Sequence, residues 1–401
     1  MTERVEDHFD VIVMGAGPAG SVAAMLAAQR GWRVLLVDRQ PFPRRKVCGG
    51  CLSSAATTRL SRCLGAECMP GVTQRVVTFI TRRGRRLSHR SDGRARVVMR
   101  DVLDSRLLMA ARSAGAEVRL GVTAKPAPSS SGWGVWLGSN RVSTRAVFQA
   151  GGVAALAAPA RESAGMRRGG MVGWQWTQPA PTPDLAVGDV EMHWLTGGYI
   201  GVTCVEPGRW NVAMAVDDAK GAGPAAFGPA ATSVARLRHA NPSAAVWERL
   251  SASIAAGDWP RAYVARGVAG FPARPRTLGD QNLLRIGDAA GYSEPFAGDG
   301  MNLAMLSAEL AIEACDRAGV IEGRHPLTSE RLSSTYTALM RRWHEPLMAR
   351  TQWLGRFLRR PWLDRIDQSL PDGWPSKLLA NLVGCVHAGG RRSGEANGGA
   401  A

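Results

Sequence analysis

The sequence predicts an α/β fold in which an antiparallel β-sheet domain is interposed in a parallel-sheet domain and the C-terminus is helical. Three observations predict it. Residues 9–38 run strand, small-residue helix, strand around a glycine-rich turn. Residues 165–275 are dense in strand patterns and in tryptophan. A second glycine-rich segment, residues 286–302, follows a short buried strand and opens another small-residue helix.

The elements follow in order. Phe9 to Gly15 is a buried strand, and Gly15-Ala16-Gly17-Pro18-Ala19-Gly20 follows at once. Ser21 to Gln29 is a helix of small residues that Gly31 breaks, and Arg33 to Asp38 is a second buried strand ending in an acid. This is a Rossmann-like β-α-β unit with G-x-G-x-x-G at its first turn. Gly15 permits the turn, Gly17 lets backbone approach a pyrophosphate, and Gly20 lets helix and sheet pack closely. The helix N-terminus offers N–H groups and a positive dipole end to phosphate. Asp38 can accept from a ribose diol, so the unit predicts dinucleotide binding.

Residues 41–71 read as a long Pro-, Gly- and Arg-rich connection, and 75–90 as a hairpin turning at Arg83-Gly84. Met99 to Ala114 reads as a helix with Leu103, Leu107, Leu108 and Ala111 on one face, ended by Gly115 and followed by a strand from Glu117 to Leu120. Gly132 to Phe148 alternates and turns at Ser139-Asn140, which predicts a meander. In the middle, Val190, Met192 and Trp194 alternate with Glu191 and His193, and strands 199–205 and 209–216 meet at Glu206-Pro207-Gly208. That pattern predicts antiparallel sheet rather than more βαβ units. A loop at 218–230, a helix from Thr232 to His239, a strand at 282–286 and a helix from Gly300 to Ala318 complete the order. The C-terminal part is helical from about 326, with Thr328 or Ser329 as a cap.

The predicted domains are 1–74, 91–164 and 276–325 for the discontinuous nucleotide-binding domain, and 75–90 with 165–275 for the substrate-binding sheet domain. Residues 326–387 form a C-terminal helical region, and 388–401 a Gly- and Ala-rich tail expected to be disordered.

Composition narrows the class. With 401 residues, 45% hydrophobic and 21% charged, the chain can bury a sizeable core, which excludes a disordered, collagenous or coiled-coil protein. No apolar run reaches the ~18 residues of a spanning helix, and Met1 to Asp10 is polar and acidic, unlike a signal peptide. Only four of the 50 basic residues are lysines (Lys46, Lys125, Lys220 and Lys377), and the arginines are spread over the chain. The charge of +17 therefore reads as a solvated basic surface, with attraction to anionic lipid left open and nucleic acid not expected. Seven cysteines without an export signal fit a reduced, cytoplasmic protein. The cluster Cys48, Cys51, Cys63, Cys68 does not have the spacing of a zinc site, and no metal is expected.

Four motifs carry a family resemblance over roughly residues 9–320: the G-x-G-x-x-G unit with Asp38, the loop Pro43-Arg-Arg-Lys46-Val-Cys48-Gly49-Gly50, the segment Val98-Met-Arg100-Asp-Val-Leu103, and Ile286-Gly287-Asp288 through Pro295, Gly298, Gly300, Met301 and Asn302. Together they resemble the FAD-dependent enzymes of the p-hydroxybenzoate hydroxylase fold, and within these the geranylgeranyl reductase-like family. The resemblance implies an FAD-dependent oxidoreductase with its flavin between the two domains. It implies cofactor contacts from Gly15, Ala16, Gly17, Pro18, Ala19, Gly20, Asp38, Arg39, Lys46, Cys48, Gly49, Arg100 and Val122, and from Gly287, Asp288, Pro295, Gly298, Gly300, Met301 and Asn302. Asp288 would bond the ribityl chain, and residues 298–302 would lie along the flavin pyrimidine edge. One departure stands out. Where the family motif has Asp-Gly followed by Ser, this chain has Gly151-Gly152 and Ala155, which leaves NAD(P)H uncertain as reductant and a protein electron donor open.

Cys48 is the candidate catalytic residue, reading either as a proton donor activated by Arg44, Arg45 and Lys46 or as a small packed residue. With Cys51 it also forms a C-x-x-C pair, outside any thioredoxin-like context. Trp174, Trp176, Trp194, Tyr199 and Trp210 are the candidate substrate surface, since a pocket for an apolar ligand needs apolar walls. His193 is expected to be exposed or hydrogen-bonded rather than catalytic. Residues 353–363 mix arginine with large apolar groups and read either as a helix packed on the sheet domain or as a peripheral contact at the inner face of the membrane. The expected activity is flavin hydride transfer with a hydrophobic substrate such as a prenyl lipid or polyketide. The alternatives are a flavin-dependent monooxygenase or halogenase-like enzyme, and an electron-transfer flavoprotein.

Overall fold

The computed structural model describes residues 8–129, 132–157, 167–180, 184–217, 230–254, 266–275, 277–292, 295–319 and 329–358. The expected loop at 218–230 (but for its last residue), Thr328, the tail, and residues 359–363 of the arginine-rich segment lie outside them.

The first sheet has six strands in the order β18-β19-β12-β1-β2-β8. These are β1 (Phe9–Met14), β2 (Val34–Asp38), β8 (Glu117–Leu120), β12 (Thr144–Gln149), β18 (Gly279–Asp280) and β19 (Leu283–Arg285). All its pairs are parallel except β18 with β19. Helix α1 (Pro18–Ala28) packs between α3 (Arg100–Ser113) and α6 (Gly300–Ala318). Val22, Ala23, Ala24 and Ala27 of α1 are fully buried there, because short side chains let the helices close on one another.

The second sheet has seven strands in the order β17-β13-β16-β15-β14-β5-β6. They are β5 (Val76–Ile80), β6 (Arg86–Arg90), β13 (Arg167–Pro179), β14 (Val190–Leu195), β15 (Gly198–Glu206), β16 (Arg209–Asp217) and β17 (Arg266–Arg274). The sheet is antiparallel, as expected, except that β14 runs parallel to β5. Its back face, with Ile200, Val202, Val212 and Met214, packs on α4 (Ala230–Ala240) and α5 (Val246–Ile254) through Val234, Leu237, Val246 and Leu250.

Two small sheets complete the strands: β3 (Cys51–Leu52), β7 (Arg96–Val97) and β4 (Val72–Thr73); and β9 (Ala124–Ser129), β10 (Gly132–Leu137) and β11 (Asn140–Val142). Helices α7 (Ser329–Leu339) and α8 (Glu345–Leu358) follow α6, joined by a π-helical turn at Met340–His344.

Three expectations need correction. Residues 41–71 are not all connection, since α2 (Ser54–Leu64) lies inside them, with Ser53 Oγ accepting Ala56 N–H at 3.2 Å as its cap. The meander does not include β12, whose fully apolar run Ala146-Val147-Phe148 belongs between β1 and β19. Helix α5 was not expected from its sequence, which packs Val246, Trp247 and Leu250 but is short.

Candidate functional site

A cavity of about 740 Å³ lies where the C-terminal ends of β1, β2, β12 and β19 meet the front face of the seven-stranded sheet. Its nucleotide end is built on the first turn. Gly15 has φ +113°, and a Cβ there would lie 2.5 Å from Ala150 O. A Cβ on Gly20 would fall 1.8 Å from Gly15 O. The fold itself requires both glycines. Gly17 differs, because a Cβ there would meet only the ends of Arg44 at 3.4 Å and Arg100 at 3.8 Å. Nothing in the protein excludes a side chain at Gly17, so its bareness serves what binds against it.

Asp38 accepts Ala16 N–H at 2.8 Å through Oδ2 and Gln40 N–H at 2.9 Å through Oδ1. Its first task is thus to shape the turn, while lone pairs remain for a diol. Arg100, the first residue of α3, grips Asp104 with two hydrogen bonds of 2.8 and 2.9 Å. Burial works against its charge, but Asp104 outweighs this and holds the guanidinium more firmly protonated than usual. Arg44 lies 3.3 Å from Asp104 and 3.7 Å from Asp38, and its Nε is buried with no hydrogen-bond partner among the described residues. The wall carries the cations Arg39, Arg44, Arg45, Lys46, Arg100 and Lys125 against the carboxylates Asp38 and Asp288. An anion is what this excess of positive charge fits.

Further along, Lys46 Nζ donates to Asp288 Oδ2 at 2.6 Å. The pair lies over Gly152, whose Cβ would be 3.1 Å from Lys46 Nζ. Cys48 follows, on a loop that the sheet holds from its front face. Asn211 Nδ2 donates to Cys48 O at 3.2 Å and is itself oriented by Gln175 at 2.6 Å, while Thr203 Oγ1 donates to Gly49 O at 3.1 Å. Burial, with Cys48 nearby, pushes the Cys51 thiol up to about 12, so Cys51 is a poor thiolate. Burial likewise raises the Tyr292 phenol, with Asp288 and Cys48 adding to the effect, so it stays neutral.

The front face of the sheet presents Gly173, Val190, Met192, Tyr199, Gly201, Thr203, Ala213 and Ala215 to the cavity. This corrects the tryptophan surface expected from sequence. Trp176 and Trp210 are fully buried on the back face with α4 and α5. Trp174 touches the cavity wall, but its indole N–H donates to Ser233 Oγ of α4 at 3.1 Å. Trp194 sits beneath the wall, 4.5 Å from Phe296 and 5.6 Å from Tyr199 between ring centres. Of the five, Trp174 and Tyr199 line the cavity. His193 is buried on the back face, not exposed, with Nε2 3.4 Å from Glu191 Oε2.

Of the residues expected around a cofactor, Gly15, Gly17, Pro18, Ala19, Asp38, Arg39, Lys46, Cys48, Gly49, Arg100 and Val122 line the cavity, as do Gly287, Asp288, Pro295, Gly298, Gly300 and Met301. Ala16, Gly20 and Asn302 do not. Ala16 meets Asp38, Gly20 packs on Gly15, and Asn302 bonds Arg59 and Asp299. Sequence reasoning named Arg44 only beside Cys48, and missed both Arg44 and Tyr292 as wall residues of the cavity. It also missed the small-residue stripe of β15 and β16, whose signal is the alternation of Tyr199, Gly201, Thr203 and of Ala213, Ala215 with large apolar neighbours. The residues present fit FAD: a bare Gly17, two converging guanidiniums, a strand-end Asp288, and the uncapped N-terminus of α6 beside Gly300 and Met301.

Comparison with known proteins agrees with this geometry. A family model described as FAD dependent oxidoreductase matches residues 10–265. The menaquinone reductase of Mycolicibacterium smegmatis is 26% identical over 344 residues, covering 78% of each protein. The digeranylgeranylglycerophospholipid reductase 2 of Methanopyrus kandleri is 28% identical over 333 residues, again 78% of each. The match to the menaquinone reductase of Mycobacterium tuberculosis is 37% identical over 134 residues and spans 31% of that protein and 30% of this chain. Among solved structures, a flavin-dependent brominase superposes with a TM-score of 0.72 at 18% identity, over 95% of this chain and 94% of the other, which is a likeness of fold.

Proposed function

The chain belongs to the FAD-dependent oxidoreductase family, and from that premise we propose that it reduces a carbon–carbon double bond in an apolar, isoprenoid-type substrate. The observation that carries the proposal is the continuity of the cavity. It runs from a cationic turn to a wall of small and apolar side chains, with two thiols between them, Cys48 and Cys51, the latter kept protonated by burial. Two relatives matched over most of the chain are named for lipids that carry isoprenoid chains, which supports the substrate class.

In this reading Gly17, Arg44 and Arg100 hold the diphosphate, Asp288 the ribityl chain, and the start of α6 the pyrimidine edge. FAD, when bound, supplies the hydride. Gly201, Ala213 and Ala215 leave room for a flat or chain-like substrate, and Val190, Met192 and Tyr199 exclude water from it. Cys48 gives its Sγ proton to the second carbon, so that one hydride and one proton saturate the bond. Its loop is fixed by Asn211 and Thr203, which sets where that proton is delivered. We extend the proposal to the surroundings. Electrons come from a protein donor, as the altered Gly151-Gly152 segment favours, and the substrate is met at a membrane surface, which the 55% exposed Trp353 on α8 favours. No helix among the described residues is long and apolar enough to cross a membrane.

The test is anaerobic. Holoprotein reduced with dithionite is mixed with a short-chain menaquinone or with a geranylgeranyl ether phospholipid, and the lipid is read by mass spectrometry. A gain of two hydrogens in the chain, with reoxidation of the flavin, is expected. An unreduced lipid under these conditions, together with substrate-dependent oxygen uptake and oxygen inserted into product in a parallel aerobic assay, would overturn the proposal in favour of a monooxygenase.

A further inference from the structure

Residues paired across antiparallel strands point to the same face, so the cavity side of the seven-stranded sheet is built in rows. Thr203 pairs with Val190 and Asn211, Gly201 with Met192 and Ala213, and Tyr199 with Trp194 and Ala215. These are three successive rows, each about 7 Å from the next because two residues separate them along a strand. The first row holds the thiol's loop, through the bonds of Asn211 and Thr203 to the carbonyls of Cys48 and Gly49. At the third row the cavity closes. Tyr199 and Phe296 line it there, packed on Trp194, Phe79 and Leu354 of α8, all of them buried. The middle row is narrowed from both sides. Gly49 lies over Ala213, whose Cβ would be 4.0 Å from a Cβ placed on Gly49. From β14, Met192 reaches over Gly201, where a Cβ would lie 2.9 Å from the Met192 Sδ. The sulfur thus takes the space that a side chain at 201 would fill.

Met192 is half-buried and unbranched, so its thioether can turn aside while β14 stays in place. We infer that Met192 sets how far an isoprenoid chain runs past the thiol, and so selects which of its double bonds is reduced. The inference rests on the apolar isoprenoid substrate proposed above. The closed end is apolar and aromatic, which suits the tail of such a chain and not a polar headgroup, so the chain enters tail first. With its sulfur over Gly201, Met192 stops the tail about 7 Å beyond the row that holds the loop of Cys48. The double bond level with Cys48 is then the one that lies this far from the tail. Were the stop withdrawn, the tail would reach Tyr199 and Phe296, and a bond nearer the headgroup would come level instead. Met192 acts here as a specificity-determining residue, with no part in hydride or proton transfer.

The experiment gives dithionite-reduced holoprotein, without oxygen, menaquinones and ether phospholipids whose chains differ by one isoprene unit. Tandem mass spectrometry reads which double bond gains hydrogen, and kcat/KM is compared between chain lengths. Met192→Ala removes the stop, and Gly201→Ala fills the middle row with a methyl group. Met192→Ala should move the reduced bond one unit toward the headgroup. It should also raise kcat/KM for the longer chain over the shorter by about tenfold or more, since a single methylene in an apolar pocket already discriminates about tenfold. Gly201→Ala should shift the preference toward the shorter chain. Flavin absorbance and melting temperature should stay close to wild type in both. The same reduced bond and the same ratio between chain lengths in Met192→Ala, whether or not the overall rate falls, would overturn the role of Met192 and leave the proposed reaction standing. Should Gly201→Ala fail to fold, Met192→Ala decides alone. A wild type that reduces neither lipid would overturn the proposed function, and this inference with it.

Discussion

The three glycines of the first turn share one motif but answer to different constraints. Gly15 and Gly20 are bare because backbone would occupy their Cβ positions, whereas Gly17 is extended and has room for one. Gly17→Val should therefore fold with a melting temperature within a few degrees of wild type and emerge colourless, while Gly15→Val should fail to give folded protein. Visible absorbance and a thermal melt separate the two; a yellow Gly17→Val protein would mean that this turn does not hold the diphosphate. Cys48 supports a second expectation. Its loop is anchored to the sheet through backbone carbonyls, and the sulfur makes only a local bond, accepting Gly50 N–H at 3.4 Å, so Cys48→Ala should leave flavin binding and melting temperature nearly unchanged. Product formation should fall about a hundredfold or more, the scale of general-acid catalysis; equal turnover would return Cys48 to packing. At this scale the sequence was legible for which residues meet at the cavity, as with Gly17, Asp288 and Cys48. It was not legible for Arg44 or Asn302, because one arginine among many carries no mark of its partner, and a side chain next to a motif can turn either way.

An element divides its side chains between two faces, and β14 shows what that hides. Val190 and Met192 face the cavity, while Glu191 and His193 are buried on the back, where Arg86 and Arg249 bond Glu191 at 2.6 and 2.7 Å. Alternation was legible along β13 to β16, but which face meets the cofactor was not, so large aromatic residues were favoured over the small ones that leave a cavity open. Helix α2 was hidden for a related reason: Arg59 is buried in it only because Asn302 and Glu309 of α6 receive it. The buried pair on β14 also fixes a pH dependence. Burial acts against the Glu191 carboxylate, but His193 close by, the bond from Arg86 and the charge of Arg249 prevail and bring it down to about 2. Burial holds His193 below its ordinary value of about 6.5. Both groups bind fewer protons folded than unfolded, so each contributes stability that is present above its unfolded value and lost as pH falls through its folded one. Urea midpoints should drop from pH 6.5 downward, first through His193 and then, below about 4.5, through Glu191. His193→Gln should remove up to one proton from that slope, about 1.4 kcal/mol per pH unit, in the upper part of the window. An unaltered slope would place the acid sensitivity elsewhere.

For the molecule as a whole the open question is where its electrons enter. The parallel sheet, its first turn and the strand–helix return at 283–318 were legible because glycine and small-residue helices leave few other folds. A protein electron donor, as proposed, would be chosen by the surface, which periodicity does not record. One place in the chain bears on that proposal. Gly151 and Ala155 stand where the resembling family has Asp and Ser, and the adjacent Gly152 lies against the Lys46–Asp288 pair. NADPH should then bleach the flavin far below the rates of enzyme turnover, on the order of 10 per second, although dithionite bleaches it fully. The net charge of +17 says what kind of protein would replace it, since an acidic donor is drawn to such a surface over a distance that salt shortens from about 10 Å at 0.1 M to about 3 Å at 1 M. Flavin reduction by an acidic iron–sulfur protein should consequently slow by about tenfold or more across that range, while reduction by a neutral small molecule should hardly change. Stopped-flow traces at both salt concentrations read this directly. Fast bleaching by NADPH, or a protein-donor rate indifferent to salt, would show that neither the altered turn nor the basic surface directs the electrons.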